Sequence, residues 1–185
     1  DRPVEAFTAG FSGTQVTDER AHAQTVAKVA GANFHAVDFN EDDFWNLLPT
    51  IVGCLDDPTS DYAVLPTFKL GALARERGIK VVLTGEGGDE LFAGYGRYRR
   101  LMRPWWMGGR PMRHKGIFEG SDILREPAGS WNTPDLINTS HRSWTRLQQA
   151  QATDCAGWLP NDLLIKLDRC LMAHGVEGRT PFLDL

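Results

Sequence analysis

Cysteine is scarce in this chain, with three in 185 residues, and Cys54, Cys155 and Cys170 lie too far apart to form a CxxC pair. An odd, scattered set gives no disulfide framework and reads as free thiols in a reducing cytoplasm. No apolar run approaches the roughly 18 residues that span a bilayer. No basic start, apolar middle and small-residue cleavage site marks a signal peptide. There is no excess of basic residues either. Lys and Arg number 20 against 24 Asp and Glu, a formal charge of −4, so no global field draws in nucleic acid or anionic membrane. Repeats and low-complexity tracts are absent. The sequence begins at Asp1 without a Met and stops at Leu185 just after TPFLD, which reads as a piece of something longer. What is present, 42% hydrophobic and 24% charged residues, is a globular composition of one domain's size.

Apolar spacing supplies the elements. EAFTAGF, Glu5 to Phe11, is short, apolar and closed by glycine, as a buried strand is. Asp18 is placed to cap a helix through AHAQTVAKVAG that stops at Gly31. NFHAVDF reads as a second strand. Phe44, Leu47, Leu48, Ile51 and Val52 recur with helical spacing and predict one buried face, with Pro49 kinking or dividing the helix. DDPTSDY is a loop, Leu65 to Arg77 a helix, and IKVVLT the third strand. Strands separated by helices imply crossovers and a parallel sheet, so Glu5–Phe11, Phe34–Phe39 and Lys80–Thr84 are expected as adjacent parallel strands. The fold class is therefore α/β, a doubly wound parallel sheet followed by a mainly helical carboxyl-terminal half. There, Asn161 is placed as a cap. Leu163, Leu167, Cys170 and Leu171 form an apolar stripe that leaves Lys166, Asp168, Arg169, Glu177 and Arg179 to face elsewhere.

Two stretches carry chemistry. In VVLTGEGGDELFAGY, strand-forming residues stop at Thr84 and three glycines follow within four positions, mixed with Glu86, Asp89 and Glu90. Ligands of open parallel sheets sit at the carboxyl ends of strands, and glycines admit a close backbone approach. A helix starting near Asp89 favours an anion at its amino end. Acids in a phosphate loop make sense if a cation mediates, because Mg²⁺ takes one or two protein carboxylates together with phosphate oxygens. Asp89 and Glu90 as simple complements of the helix dipole, worth under about 1 kcal/mol each, are the alternative. The second stretch, Arg97 to Lys115, holds seven Arg or Lys and no acid, with Trp105 and Trp106 between them. It suits RNA or a phosphate-rich ligand. The plainer reading, a loop or solvated face whose tryptophans dock on the domain, is preferred.

TGEGGDELFAGYGRYRR resembles the S-G-x-G-x-D-E-x-F-x-G-Y motif of glutamine-hydrolysing asparagine synthetases, with Thr84 in place of Ser. FTAGF resembles that family's adenosine-side strand, and DDPTSDYAVLPTFKL its D-x-P...P-T segment on the aspartate side. LLIKLDRCLMAHGVEGRTPFLD resembles L-L-x-K-x-D-R-x-S-M-A-x-x-x-E-x-R-x-P-F-L-D. The four motifs run in the family's order from Phe7 to Asp184.

The resemblance implies an ATP pyrophosphatase domain with a sheet like that of adenine-nucleotide hydrolases, using ATP and Mg²⁺. Aspartate would be adenylated with loss of pyrophosphate, and ammonia from glutamine would displace AMP. Catalytic roles fall to Glu86, near aspartate and the intermediate, and to Asp89, which would hold the metal–pyrophosphate. Thr84 and Gly85 would lie along AMP, the Ala9 backbone on adenosine, and Lys166 towards the phosphates. A helix-surface ion-pair network at Lys166 and Asp168 is the equal alternative. Implied partners are the small-molecule substrates aspartate and ATP and a glutaminase domain of the same chain, with room for a homodimer; nucleic acid and membrane are not implied. Leu171 stands in place of the signature's Ser, and Ala63 where many relatives carry a small hydroxyl. The S-G-G-x-D-S pyrophosphate loop, the glutaminase domain and a later lysine segment are missing, so residues 1–185 read as one partial synthetase domain. Alone, it is expected to bind ATP at millimolar affinity or weaker, no more than about 4 kcal/mol. A β-lactam synthetase-like enzyme with another acceptor, or a non-catalytic binding module, would share much of this pattern.

Overall fold

The computed structural model describes residues 3–11, 18–55, 59, 61–112 and 143–184. Two compact units emerge, Asp1–Thr84 with Asp162–Pro181, and Gly85–Asn161 with Phe182–Leu185.

In the first unit, β1 (Glu5–Phe11) pairs in parallel with β2 (Asn33–Phe39), in a register running from Glu5 opposite Asn33 to Phe11 opposite Phe39. Both strands coincide with the expected ones. The crossover helix α1 (Arg20–Val29) begins one residue later than expected: Glu19 is the cap, while Asp18 accepts the Arg20 backbone N–H at 3.0 Å and pairs with its guanidinium. Gly31 follows with φ +66°, a left-handed turn that glycine adopts without strain. Helix α2 (Glu41–Cys54) opens on a reciprocal cap between Asn40 and Asp43, with three acids in its first turn.

Pro49 neither divides α2 nor ends it: the helix is continuous through it. Proline removes one donor and frees the carbonyl four residues back, and here both Pro49 and Trp45 are exposed, where water can satisfy it. The expected stripe holds through Ile51, which is buried, but Val52 is 63% exposed because the last turn passes beyond the core edge. Helix α3 (Val64–Glu76) begins and ends one residue before the predicted bounds. Residues 56–58 and 60, four of the seven in the predicted DDPTSDY loop, lie outside the described residues.

The third strand differs more. β3 is three residues, Val81–Leu83, and its parallel partner is β4 (Glu177–Arg179), not β1 or β2. Among the described residues the strands form two separate parallel pairs. Side chains join what the ladders do not: Phe7 of β1 and Val82 of β3 pack on the same cluster of Ala74, Leu167, Leu171 and Val176. A second cluster gathers Phe39, Ile51, Val64, Leu65, Phe68 and Cys170. Leu167, Cys170 and Leu171 come from one helix, α7 (Ile165–Met172), which crosses α3 closely at Gly71. A Cβ there would sit 3.2 Å from the Cys170 carbonyl and 3.0 Å from the His174 ring. The expected stripe of Leu163, Leu167, Cys170 and Leu171 is buried throughout. Asn161 does not cap it; a π-helical turn over Leu159–Leu164 leads directly into α7, and the Asn161 amide donates to the Gly157 carbonyl.

The second unit is helical: α4 (Gly88–Phe92), α5 (Gly96–Met102), a 3₁₀ turn over Trp105–Met107, and α6 (Arg146–Ala156), capped reciprocally by Thr145 and Gln148. Trp105 and Trp106 are 86% and 70% exposed, so the expected docking of these rings on the domain is not what the fold does. The three cysteines are free. Among the described residues no helix is long and apolar enough to cross a membrane.

His174 offers a test of the α3–α7 seam. Its ring meets Phe68 edge-on at 4.3 Å, and burial pushes its pKa below the usual histidine value, against a hydrogen bond to the Phe68 backbone. A group whose pKa is lowered by folding is protonated first in the unfolded chain, so its contribution fades as pH falls below about 6.5. Urea denaturation is expected to show stability declining through that window, and His174→Leu to flatten the decline. Lowered carboxylates such as Asp43 act only at more acid pH.

Candidate functional site

The glycine loop begins where β3 ends. The Thr84 backbone N–H donates to the Arg179 carbonyl at 2.8 Å, extending the β3–β4 ladder by one bond, while its buried hydroxyl oxygen has no partner among the described residues. A buried hydroxyl without a partner is costly, by about 1–3 kcal/mol, unless something else meets it.

In the second unit, Gly88 N–H closes a turn on the Gly85 carbonyl, and Gly87 takes φ +87°. That glycine is required twice, because a Cβ would also overlap the Leu183 side chain. Helix α4 follows, only five residues long, so its dipole is a much weaker anion attractor than the sequence suggested. Asp89 is exposed and Glu86 half-buried. Ala93, at φ +57°, turns the chain back so that Gly94 lies under Asp89; a Cβ on Gly94 would overlap the Asp89 carboxylate.

Glu90 does something the sequence did not disclose. It is 1% exposed, accepts a hydrogen bond from the Tyr95 hydroxyl at 2.7 Å, and leaves its other oxygen buried with no partner among the described residues. The Gln151 amide of α6 donates to the Glu90 and Leu91 carbonyls at 2.6 and 3.0 Å. Nearby, Asp154 accepts from the Arg97 guanidinium at 3.1 and 2.9 Å and from the buried Tyr98 hydroxyl. Arg97 also stacks over the Tyr95 ring at 3.7 Å. Burial and the Glu90 carboxylate raise the Tyr95 pKa, and burial and Asp154 raise that of Tyr98, so both phenols stay protonated donors. Asp154 had no sequence signal beyond an acid in a run of small residues; the five-residue spacing of Glu90 and Tyr95 across a helix end was the available hint.

In the first unit, Ala9 lies half-buried on β1 opposite Val37. Lys166 is 5% exposed and pairs with Asp61 at 2.9 Å. The expectation that Lys166 faces away from the apolar stripe is therefore corrected: its long stem lets the ammonium reach Asp61 from within the packed seam. Asp168 stays exposed, so the pair is not a helix-surface network. Asp61 also accepts the Ala63 backbone N–H, and its own N–H donates to Thr59, whose hydroxyl donates to Asp162. Among the described residues no group of three or more His, Cys, Asp or Glu is placed to hold a metal ion. Such a cage is not what Mg²⁺ needs; one exposed carboxylate beside substrate phosphates fits it, and Asp89 is of that kind.

The profile of the asparagine synthase family matches residues 1–185. The chain belongs to the asparagine synthase family. It is 31% identical, over 96% of its length, to a putative glutamine-hydrolysing asparagine synthetase of Mycobacterium tuberculosis, of which it covers 33%. Glutamine-hydrolysing asparagine synthetase 1 of Bacillus subtilis is 27% identical over 98% of this chain and 35% of that protein. A relative with another name, amidase chyE of Penicillium rubens, is 29% identical over 75% of this chain and 18% of that protein. The chain thus spans about a third of the length of the asparagine synthetases it matches. For a member of this family, the buried Lys166–Asp61 pair is the feature most open to direct test. Asp61→Ala takes a hydrogen-bonded counter-charge away from a buried ammonium and is expected to cost about 1 kcal/mol or more in chemical denaturation. Adding Lys166→Met should recover most of that loss.

Proposed function

We propose that this chain is the ATP-handling part of an asparagine synthetase, a cytoplasmic ligase whose reduced compartment accords with the free thiols. The observation that carries the reading is the end of β3, where a buried Thr84 hydroxyl with no partner among the described residues leads directly into the glycine loop, in a chain matched throughout by the asparagine synthase family. A nucleotide oxygen supplies the missing partner. The two strand pairs, in this reading, are parts of a doubly wound sheet of the ATP pyrophosphatase type.

The chemistry runs in two steps. An oxygen of the aspartate side-chain carboxylate attacks the α-phosphorus of ATP, the bond to the bridging oxygen breaks, and pyrophosphate leaves. Ammonia, released from glutamine by a further domain, then attacks the acyl carbon; the bond to AMP breaks and one proton is lost. The residues do the positioning. The Thr84 hydroxyl and Gly85 backbone lie along AMP, the Ala9 backbone meets adenosine, and Glu86 lies near the acyl group that ammonia attacks. Lys166 reaches phosphate oxygens by exchanging the Asp61 carboxylate for them. Mg²⁺, held by Asp89, supplies charge neutralisation on the phosphates.

A second reading keeps the adenylation and changes the acceptor, as in a β-lactam synthetase-like enzyme. It is favoured by the relative named an amidase and by Ala63, which offers no hydroxyl beside the segment assigned to the substrate.

In the full-length protein, Asp89→Asn is expected to lower ATP-dependent pyrophosphate release by about 100-fold or more, equivalent to roughly 3 kcal/mol of lost charge stabilisation. Glutamine hydrolysis should stay near the wild-type rate. Pyrophosphate release close to wild type would remove Asp89 from this role.

A further inference from the structure

The second unit contains a positive cavity that the adenylation chemistry leaves unused. It has a volume of about 290 Å³, near the lower end of small-molecule sites. Its wall includes Arg103, Arg110, Arg146, Trp105, Leu101 and Pro111 and, among the described residues, no acid. None of the three arginines makes an ion pair among the described residues. In a chain with more acids than bases, three adjacent cations with no counter-charge among the described residues repel one another.

The local structure holds them there. The loop after α5 is tied shut by Gly109 N–H on the Pro104 carbonyl at 3.0 Å and Arg110 N–H on the Arg100 carbonyl at 3.2 Å. Gly108 takes φ +79°, and a Cβ on Gly109 would overlap the Arg103 carbonyl. These constraints bring Arg110 back beside Arg103. Arg146 occupies the first turn of α6, an eleven-residue helix with no acid in that turn. A cation there is opposed by the helix field, so every fixed charge at the cavity favours an anion. Trp105, 86% exposed on the same wall, offers a ring face to stack upon.

We infer that the cavity formed by Arg103, Arg110, Arg146 and Trp105 binds a phosphate ester carrying a planar ring. The guanidiniums take the phosphate oxygens as paired N–H donors, and the indole takes the ring. The same chemistry is offered by a free phosphorylated aromatic molecule and by single-stranded nucleic acid.

Calorimetric titration of the full-length protein with phenyl phosphate tests the site. Saturable binding with a millimolar or lower Kd is expected, weakening as salt is raised. Arg110→Gln should weaken it about tenfold, and Arg110→Gln with Arg146→Gln further still. Trp105→Ala should weaken phenyl phosphate by about threefold while leaving inorganic phosphate unchanged. Asp89→Asn, in the glycine loop, should leave phenyl phosphate binding as it was, which separates this site from the proposed ATP site. Oligouridylate decides the source. Binding more than about tenfold tighter than phenyl phosphate, with a steeper salt dependence, assigns a polynucleotide; equal or weaker binding assigns a free ester. Absence of saturable phenyl phosphate binding overturns the inference. So does unchanged affinity in Arg110→Gln protein with a wild-type thermal transition.

Discussion

Helix α7 carries Leu167, Cys170 and Leu171 on one face, and that face fills two apolar clusters at once. Cys170 completes the cluster around Phe39, Ile51 and Phe68, while Leu167 and Leu171 close the one around Ala74 and Val176. Each buried side chain of this size contributes on the order of 1.5–3 kcal/mol, and all of it depends on α7 lying tightly against α3. Gly71 permits that approach, and Gly178 does the same on the strand side, where a Cβ would come within 2.8 Å of Leu171. β4 is therefore held against β3 as much by the helix beneath it as by its own short ladder.

The polar groups buried in this packing pair with one another. Lys166, buried in the α7 seam, pairs with Asp61, which in turn fixes the chain entering α3. In the second unit Asp154 gathers Arg97 and Tyr98, and Glu90 takes the Tyr95 hydroxyl. These contacts anchor the turn after α4 to α6, and so support the short loop in which Glu86 and Asp89 stand. Buried pairs of this kind add little net stability but make each partner hard to remove alone.

Much of this was legible in the sequence where one face of an element is apolar and the other is not. β1 and β2 fall on their expected residues and α1 and α3 within one or two, while α2 starts three residues before its predicted apolar face and ends two beyond it. The glycine loop announced itself because three glycines after a strand have few structural uses. β4 did not, because Glu-Gly-Arg has no apolar alternation and gains its strand geometry from β3 and α7. Lys166 and Glu90 looked like surface charges; what buries them is a partner distant in sequence or across a helix end, which periodicity does not encode. Pro49 does not divide its helix, because the carbonyl it frees lies on the exposed side, where water can satisfy it.

Adenylation of a side-chain carboxylate is the claim on which the functional account stands, and oxygen transfer reports it directly. The full-length protein would be incubated with ATP, glutamine and aspartate labelled with heavy oxygen in its side-chain carboxylate, and the phosphate products examined by mass spectrometry. The account predicts a single labelled oxygen in AMP and none in pyrophosphate. Label in inorganic phosphate, or AMP formed without label, would contradict it.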